Sequence, residues 1–171
     1  MSEVQRYLRE LAEHGYRDVD APRFLAAWEY LEAVYLERIE AVSAGAADWR
    51  ECFRAAAGET ARLVEEHRPQ ARFLVVDALA AGEFGRERQH ALGTRLAEML
   101  DRARSELDDP ELIPPSTGSW IVAIFFDRIY RRCSRGDEAR DLPSQLPDLT
   151  FLAISAYFGT EAGLEELTSP P

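Results

Sequence analysis

The sequence predicts an all-α protein, a single-domain bundle of about seven helices. Three observations predict it. Apolar residues recur at three- and four-residue intervals in almost every segment. The segments are bounded by capping residues, glycines and prolines. No two alternating strands are joined by a hairpin turn signal. The 171 residues suit one domain with a substantial core.

The first helix, about residues 2 to 14, carries Val4, Leu8 and Leu11 on one face and ends at Gly15. The second starts near Asp20, a side chain able to cap, with Pro22 in an early turn where its missing N–H does no harm. It runs to about Ala44 with Phe24, Trp28, Leu31, Tyr35, Ile39 and Val42 as its stripe. Gly45 ends it, and "DWRE" gives the third helix capping-box spacing, with Asp48 as cap and Glu51 as reciprocal partner. Trp49, Phe53, Ala56, Thr60 and Val64 share that helix's inner face until Pro69, which opens the fourth, "PQARFLVVDALAA".

A fifth helix extends from about Glu83 to Leu107, with Leu92, Leu96, Met99 and Ala103 inward. "DDPELIPPS" is a loop stiffened by three prolines, and Ser116 or Thr117 caps the sixth helix, "GSWIVAIFFDRIYRRCSRG". Its run "WIVAIFF" also fits a buried strand, but it continues unbroken into "DRIYRRC", which favours helix. One turn and a last helix, about Pro147 to Phe158 and closed by Gly159, complete the chain.

The formal charge is −11, and all 20 basic residues are arginine, a usage associated with GC-rich bacterial genomes. A field of this sign repels a phosphate backbone, so DNA binding would need a strong local basic patch. The densest stretch, "RIYRRCSR", lies where arginines complement a helix C-terminus, which competes with a nucleic-acid reading. No cationic leader precedes an apolar run, and no uncharged run is long enough to span a bilayer, so the expectation is a cytoplasmic protein without membrane contact. Cys52 and Cys133 have neither zinc nor redox spacing and are expected as small core residues.

No catalytic constellation is present, and neither enzyme activity nor a cofactor is expected. His14, His67 and His90 fall on different helices without metal-ligand spacing. No G-x-S-x-G occurs, and "AAGEFG" follows a helix and lacks the lysine of a phosphate loop. Asp77 and Asp127 interrupt apolar faces. Each is either paired, Asp77 with Arg72 and Asp127 with Arg131, or lines a cavity. The small-residue run "RAAAGET" serves close packing or leaves room for a ligand. The sixth and last helices are apolar over more of their circumference than one core stripe needs. Val122, Phe126, Ile129 and Tyr130 compete with Trp120, Ile121, Ile124 and Phe125 for the interior, and the excess implies a partner.

This succession resembles the effector-binding and dimerisation region of TetR-type transcriptional regulators. "EYLEAVYLERIEAV" resembles the long connecting helix and "RPQARFLVVDALAAG" the short proline-started helix after the next one. "ELIPPSTGSWIVAIFFDRIYRRCSRGD" and "LPSQLPDLTFLAISAYFG" resemble the final two. The resemblance covers roughly residues 30 to 160 and divides the chain into a degenerate N-terminal region (1–28), the ligand-binding and dimerisation domain (29–160) and a tail (161–171). "LRELAEHGY" is similar to the close of the family's first helix, but "RDVDAPRFLAAW" then passes straight to the connecting helix. Roughly a dozen residues that would place a recognition helix in the major groove are missing. Residues 1–28 are therefore expected as a helical lid, and DNA reading as lost or degenerate.

The resemblance implies a homodimeric sensor whose last two helices form a two-fold four-helix bundle, with Val122, Phe126, Ile129, Tyr130, Leu152 and Ser155 at the interface. Under that arrangement, periodicity places Phe53, Ala57, Thr60, Phe73, Asp77, Met99, Trp120, Ile124 and Asp127 around a ligand. Aromatics with one or two carboxylates would favour an apolar molecule that is neutral or cationic. The rival expectations are a working DNA-binding repressor with a divergent N-terminus and a dimeric interaction module that binds no ligand.

Overall fold

The computed structural model describes residues 3–14, 20–135 and 140–168, and among them every regular element is helical. The expected all-α bundle is what the chain forms. Gly15 and Gly136, expected as helix stops, lie outside the described residues, as does the side chain of His14.

Helix α1 is Glu3–His14, and α2 is Ala21–Ser43. Asp20 caps α2 by accepting the Arg23 amide at 3.2 Å, with Pro22 in the first turn. Asp48 caps α3, Trp49–Glu66, through the Glu51 amide at 2.7 Å. Glu51 reaches back one residue further than a capping box requires and accepts the Ala47 amide at 2.7 Å.

The proline-started helix is a composite. It begins as α4, Arg68–Arg72, widens into a π-helical turn at Phe73–Asp77, and ends as α5, Ala78–Ala80. A π turn displaces carbonyls from their usual partners. Here the Gln89 amide, from the next helix, donates to the Leu74 and Val75 carbonyls at 3.2 and 2.8 Å.

Helix α6, Glu83–Leu100, tightens into a 3₁₀ segment at Asp101–Glu106, so the expected fifth helix is regular only to Leu100. The Arg104 guanidinium fastens the proline loop beyond it by donating to the Pro110, Ile113 and Pro114 carbonyls at 3.0, 2.8 and 2.6 Å. Helix α7 is Thr117–Arg135, which resolves the strand alternative for "WIVAIFF". A 3₁₀ turn, Pro143–Gln145, leads into α8, Leu146–Thr168.

Gly159, at φ +87°, breaks α8 as its glycine signals, but helix resumes beyond it, so residues 161–168 are not a loose tail. The reason is a buried carboxylate. Glu166 accepts from Arg54 at 2.9 Å and also pairs with Arg50, which pins the returning segment to α3.

Among the described residues the core has three centres. Phe24, Trp28 and Phe73 are fully enclosed, and Tyr7, Leu8 and Leu11 of α1 pack on them; Phe24 and Trp28, within the segment expected as a lid, are thus part of the core itself. Trp49, Phe53, Ile121, Ile154 and Tyr157 form the second centre. A smaller one around Val64, Ile129 and Leu142 joins α3, α7 and the approach to α8. Val42 departs from the expected α2 stripe and is exposed, while Ile39 keeps its place in it and Leu36, outside the stripe, also turns inward.

Two glycines let helices approach closely. A Cβ on Gly85 would stand 2.2 Å from the Ala78 carbonyl oxygen, and one on Gly118 would stand 2.7 Å from that of Ala97. Both obstacles are backbone. Gly85→Ala is expected to lower stability by about 1–3 kcal/mol despite alanine's better helix propensity, which a urea melt measures.

Candidate ligand cavity

Helices α2 and α3 run antiparallel, as the Tyr35–Thr60 and Arg38–Glu59 pairs show. The space they leave against α6 and α7 is not filled. Two cavities lie there, both with mainly apolar walls.

The larger, about 340 Å³, is bounded by Ile39 and Ser43 of α2, Trp49, Phe53 and Ala57 of α3, Leu96 and Met99 of α6, and Val122 and Phe125 of α7. The smaller, about 220 Å³, is bounded by Tyr30, Leu31 and Val34 of α2, Leu63 and Val64 of α3, and Gln70, Leu74 and Val75. Val4 and Gln5 of α1 also line it. Tyr35, Thr60, Phe126 and Ile129 line both.

A hydrogen bond divides them. The Thr60 hydroxyl donates to the Ala56 carbonyl at 2.8 Å, so the buried Tyr35 hydroxyl is the donor in the 3.0 Å contact with Thr60 Oγ1. Burial pushes the Tyr35 phenol above its usual pKa, which keeps it a neutral donor. Two other polar atoms belong to wall residues but are closed off from the cavity space itself. Ser43 Oγ, on the larger cavity, and Gln70 Oε1, on the smaller, are buried and accept or donate no hydrogen bond among the described residues.

Of the nine residues expected around a ligand, Phe53, Ala57, Thr60 and Met99 line the larger cavity. The other five do not. Phe73 is wholly enclosed in the aromatic core, its ring centroid 4.7 Å from that of Phe24. Asp77 is buried against Arg72, whose Nε lies 3.2 Å away. Trp120 is 60% exposed and Ile124 is exposed beside it, while Asp127 pairs at the surface with Arg131 at 2.8 Å. That guanidinium holds the Asp127 carboxyl below its usual pKa.

The expected interface needs the matching correction. Val122 and Ile129 are buried and Phe126 half-buried, all three on the cavity walls, because α7 presents this face to α6. Gly93 of α6 lies opposite this face, where a Cβ would be at ordinary contact distance from Phe126 and Val122, 3.7 and 3.9 Å. Ser155 is half-buried against the returning half of α8, where a Cβ on Gly163 would collide with its Oγ. Tyr130 and Leu152 are exposed.

Comparison with known proteins places no family on this chain. It matches no family model, no curated protein and no solved structure.

Charged groups are scarce on the walls. Glu40 and Arg102 border the larger cavity and His67 the smaller. Neither aspartate that favoured a cationic occupant reaches either one. Among the described residues, no three His, Cys, Asp or Glu side chains stand together as a metal site. No helix among them is long and apolar enough to cross a membrane. Cys52 borders the larger cavity, and burial pushes the half-buried Cys133 thiol up to about 11. The arginine run is partly consumed within the fold: Arg132 turns inward onto Glu65 at 2.7 Å and Arg131 is held by Asp127, which leaves Arg128 and Arg135 outward.

Sequence periodicity missed Tyr35, Ser43, Trp49 and Gln70 as wall residues. Tyr35 carried a usable signal, being a phenol inside an apolar stripe that had to find a buried partner. Ser43 and Gln70 carried none, since both read as ordinary residues of a helix end.

Proposed function

We propose that this chain is a TetR-like regulatory protein, a homodimeric sensor of an uncharged apolar small molecule, in which DNA reading is lost or degenerate. The observation that carries this reading is the apolar cavity between α2, α3, α6 and α7, with the hydrogen-bonded Tyr35 and Thr60 among its few polar wall residues. Such a concave, mostly apolar space with a few convergent polar groups is the usual form of a small-molecule site. With Asp77 and Asp127 both paired elsewhere, the walls favour a neutral occupant over a cationic one. The long α2, the composite proline-started helix and the paired α7 and α8 supply the order of elements on which the TetR resemblance rests.

A second copy of the chain is the proposed partner for the outer face of α7 and α8. Trp120, Ile124, Tyr130 and Leu152 are all exposed on two helices that pack against each other. An exposed tryptophan among large apolar side chains marks an interaction surface. A two-fold axis beside it would bury the same patch from both copies. Trp120→Glu is expected to convert a dimer to a monomer in sedimentation without loss of helicity.

The ligand reading is tested with N-phenyl-1-naphthylamine, an uncharged fluorescent probe. Saturable binding that quenches Trp49 is expected, with at least a tenfold loss in Ala57→Trp, which fills the larger cavity. Absence of saturable binding in the folded wild-type protein would overturn the sensor reading.

A further inference from the structure

We infer that the two cavities are lobes of one site for a single elongated, uncharged, mostly apolar molecule, and that the Tyr35–Thr60 contact is the closed passage between them. The inference rests on the sensor reading and adds the shape of the occupant. Its first support is collinearity. Along α2, the smaller cavity takes Tyr30, Leu31 and Val34 and the larger takes Ile39, Ser43 and Ala44, with Tyr35 common to both. Along α3 the same order runs in reverse, from Trp49 through Thr60 to His67, as antiparallel packing demands. The lobes thus succeed each other along one interhelical groove, over roughly 21 Å of the α2 axis.

The partition itself is slight. It consists of one hydrogen bond between two side chains, 3.0 Å long, with Phe126 and Ile129 forming a floor continuous beneath both lobes. A rotation of Tyr35 would open it without moving a helix, and the Tyr35 hydroxyl released would need a new acceptor. Two unrelated small ligands would not require the lobes to lie end to end with a removable wall between them.

The test is a series of straight-chain 1-alkanols from hexanol to dodecanol, titrated calorimetrically into the full chain. One alkanol per chain is expected, with affinity rising about fourfold per methylene to the end of the series as the tail enters the second lobe. Tyr35→Phe, which removes the partition bond at almost constant volume, should raise dodecanol affinity several-fold more than hexanol affinity. Ala71→Trp, which fills the smaller lobe, should lower dodecanol affinity at least tenfold and hexanol affinity much less. Two alkanols per chain, or an affinity plateau that Tyr35→Phe leaves in place, would overturn the single-site inference while preserving the sensor reading. Lack of binding at every length would overturn both.

Discussion

Phe73→Ala is expected to lower the free energy of unfolding by about 3–5 kcal/mol, the range for deleting a fully buried aromatic side chain. Phe73 has no exposed surface, and its ring meets Phe24, Trp28 and Tyr7 at centroid distances of 4.7, 6.3 and 6.4 Å. Three helices converge on that ring: α1 through Tyr7, α2 through Phe24 and Trp28, and the π turn that Phe73 itself begins. Close packing leaves few ways for the hole to collapse. For a chain of this length the loss corresponds to a fall in Tm of roughly 6–20 °C, which differential scanning calorimetry measures directly. The probe affinity of the protein that remains folded should be unchanged. A large loss of affinity with normal stability would instead place Phe73 on a ligand wall, as periodicity alone predicts.

Arg132→Met is expected to cost roughly 3 kcal/mol, the lower end of what removing one member of a buried ion pair costs. The Arg132 side chain is 7% exposed and holds Glu65 through two contacts, at 2.8 and 2.7 Å. Glu65 also accepts from Arg68 at 3.0 Å and from the Leu142 amide at 3.1 Å, so the substitution weakens its environment without emptying it. These contacts join α3, α7 and the start of the α8 approach at one carboxylate. The Arg132 guanidinium, with the Leu142 amide and Arg68, holds the Glu65 carboxyl at about 2 against an ordinary 4.5.

The pH dependence follows from that depressed value. Above about 4.5 the carboxylate is ionised in the folded and unfolded chains alike, and the contribution is complete. As the pH falls below 4.5 the unfolded chain takes up its proton first, and the contribution drains away until about 2. Glu65→Gln should therefore be less stable than wild type at pH 7 and converge on it in acid, as urea melts between pH 7 and 3 would record. A stability gap independent of pH would assign Glu65 a packing role only.

Helix caps and stripes made most of the fold legible. Asp20 and Asp48 occupy the capping positions their spacing predicts, and Phe24, Trp28, Trp49 and Phe53 are in the core. The failure is concentrated on α7. "WIVAIFF" is apolar around its whole circumference, so a 3.6-residue period assigns no inner face. Contacts distant in sequence decide it, among them the close approach of Gly118 to the Ala97 carbonyl, which sets α7 against α6. One local signal was available. Trp120, Ile124, Asp127 and Arg131 share a helical face, and an aspartate paired with an arginine four residues on is at home in water. Giving that pair its surface position turns the whole face outward and sends Val122, Phe126 and Ile129 in.

The cavities were less legible than the fold because they are a property of what the side chains fail to fill. Ala56 and Ala57 in "RAAAGET" show why the two readings of that run were not exclusive. Ala57 packs as a buried core residue and also leaves the room that the larger cavity occupies. The terminal helix was hidden for a different reason. Its anchor, Glu166, becomes a core residue only because Arg50 and Arg54 meet it from more than a hundred residues away in sequence.

Native mass spectrometry of the purified protein before and after incubation with N-phenyl-1-naphthylamine, set beside its denatured mass, reads the dimer and its occupant together. The expected species is a dimer that carries a removable small-molecule adduct or takes up the probe, one per chain, and that Trp120→Glu reduces to a monomer. A wild-type monomer would contradict the α7–α8 interface, and a folded dimer that neither carries nor takes up an apolar molecule would contradict the sensor.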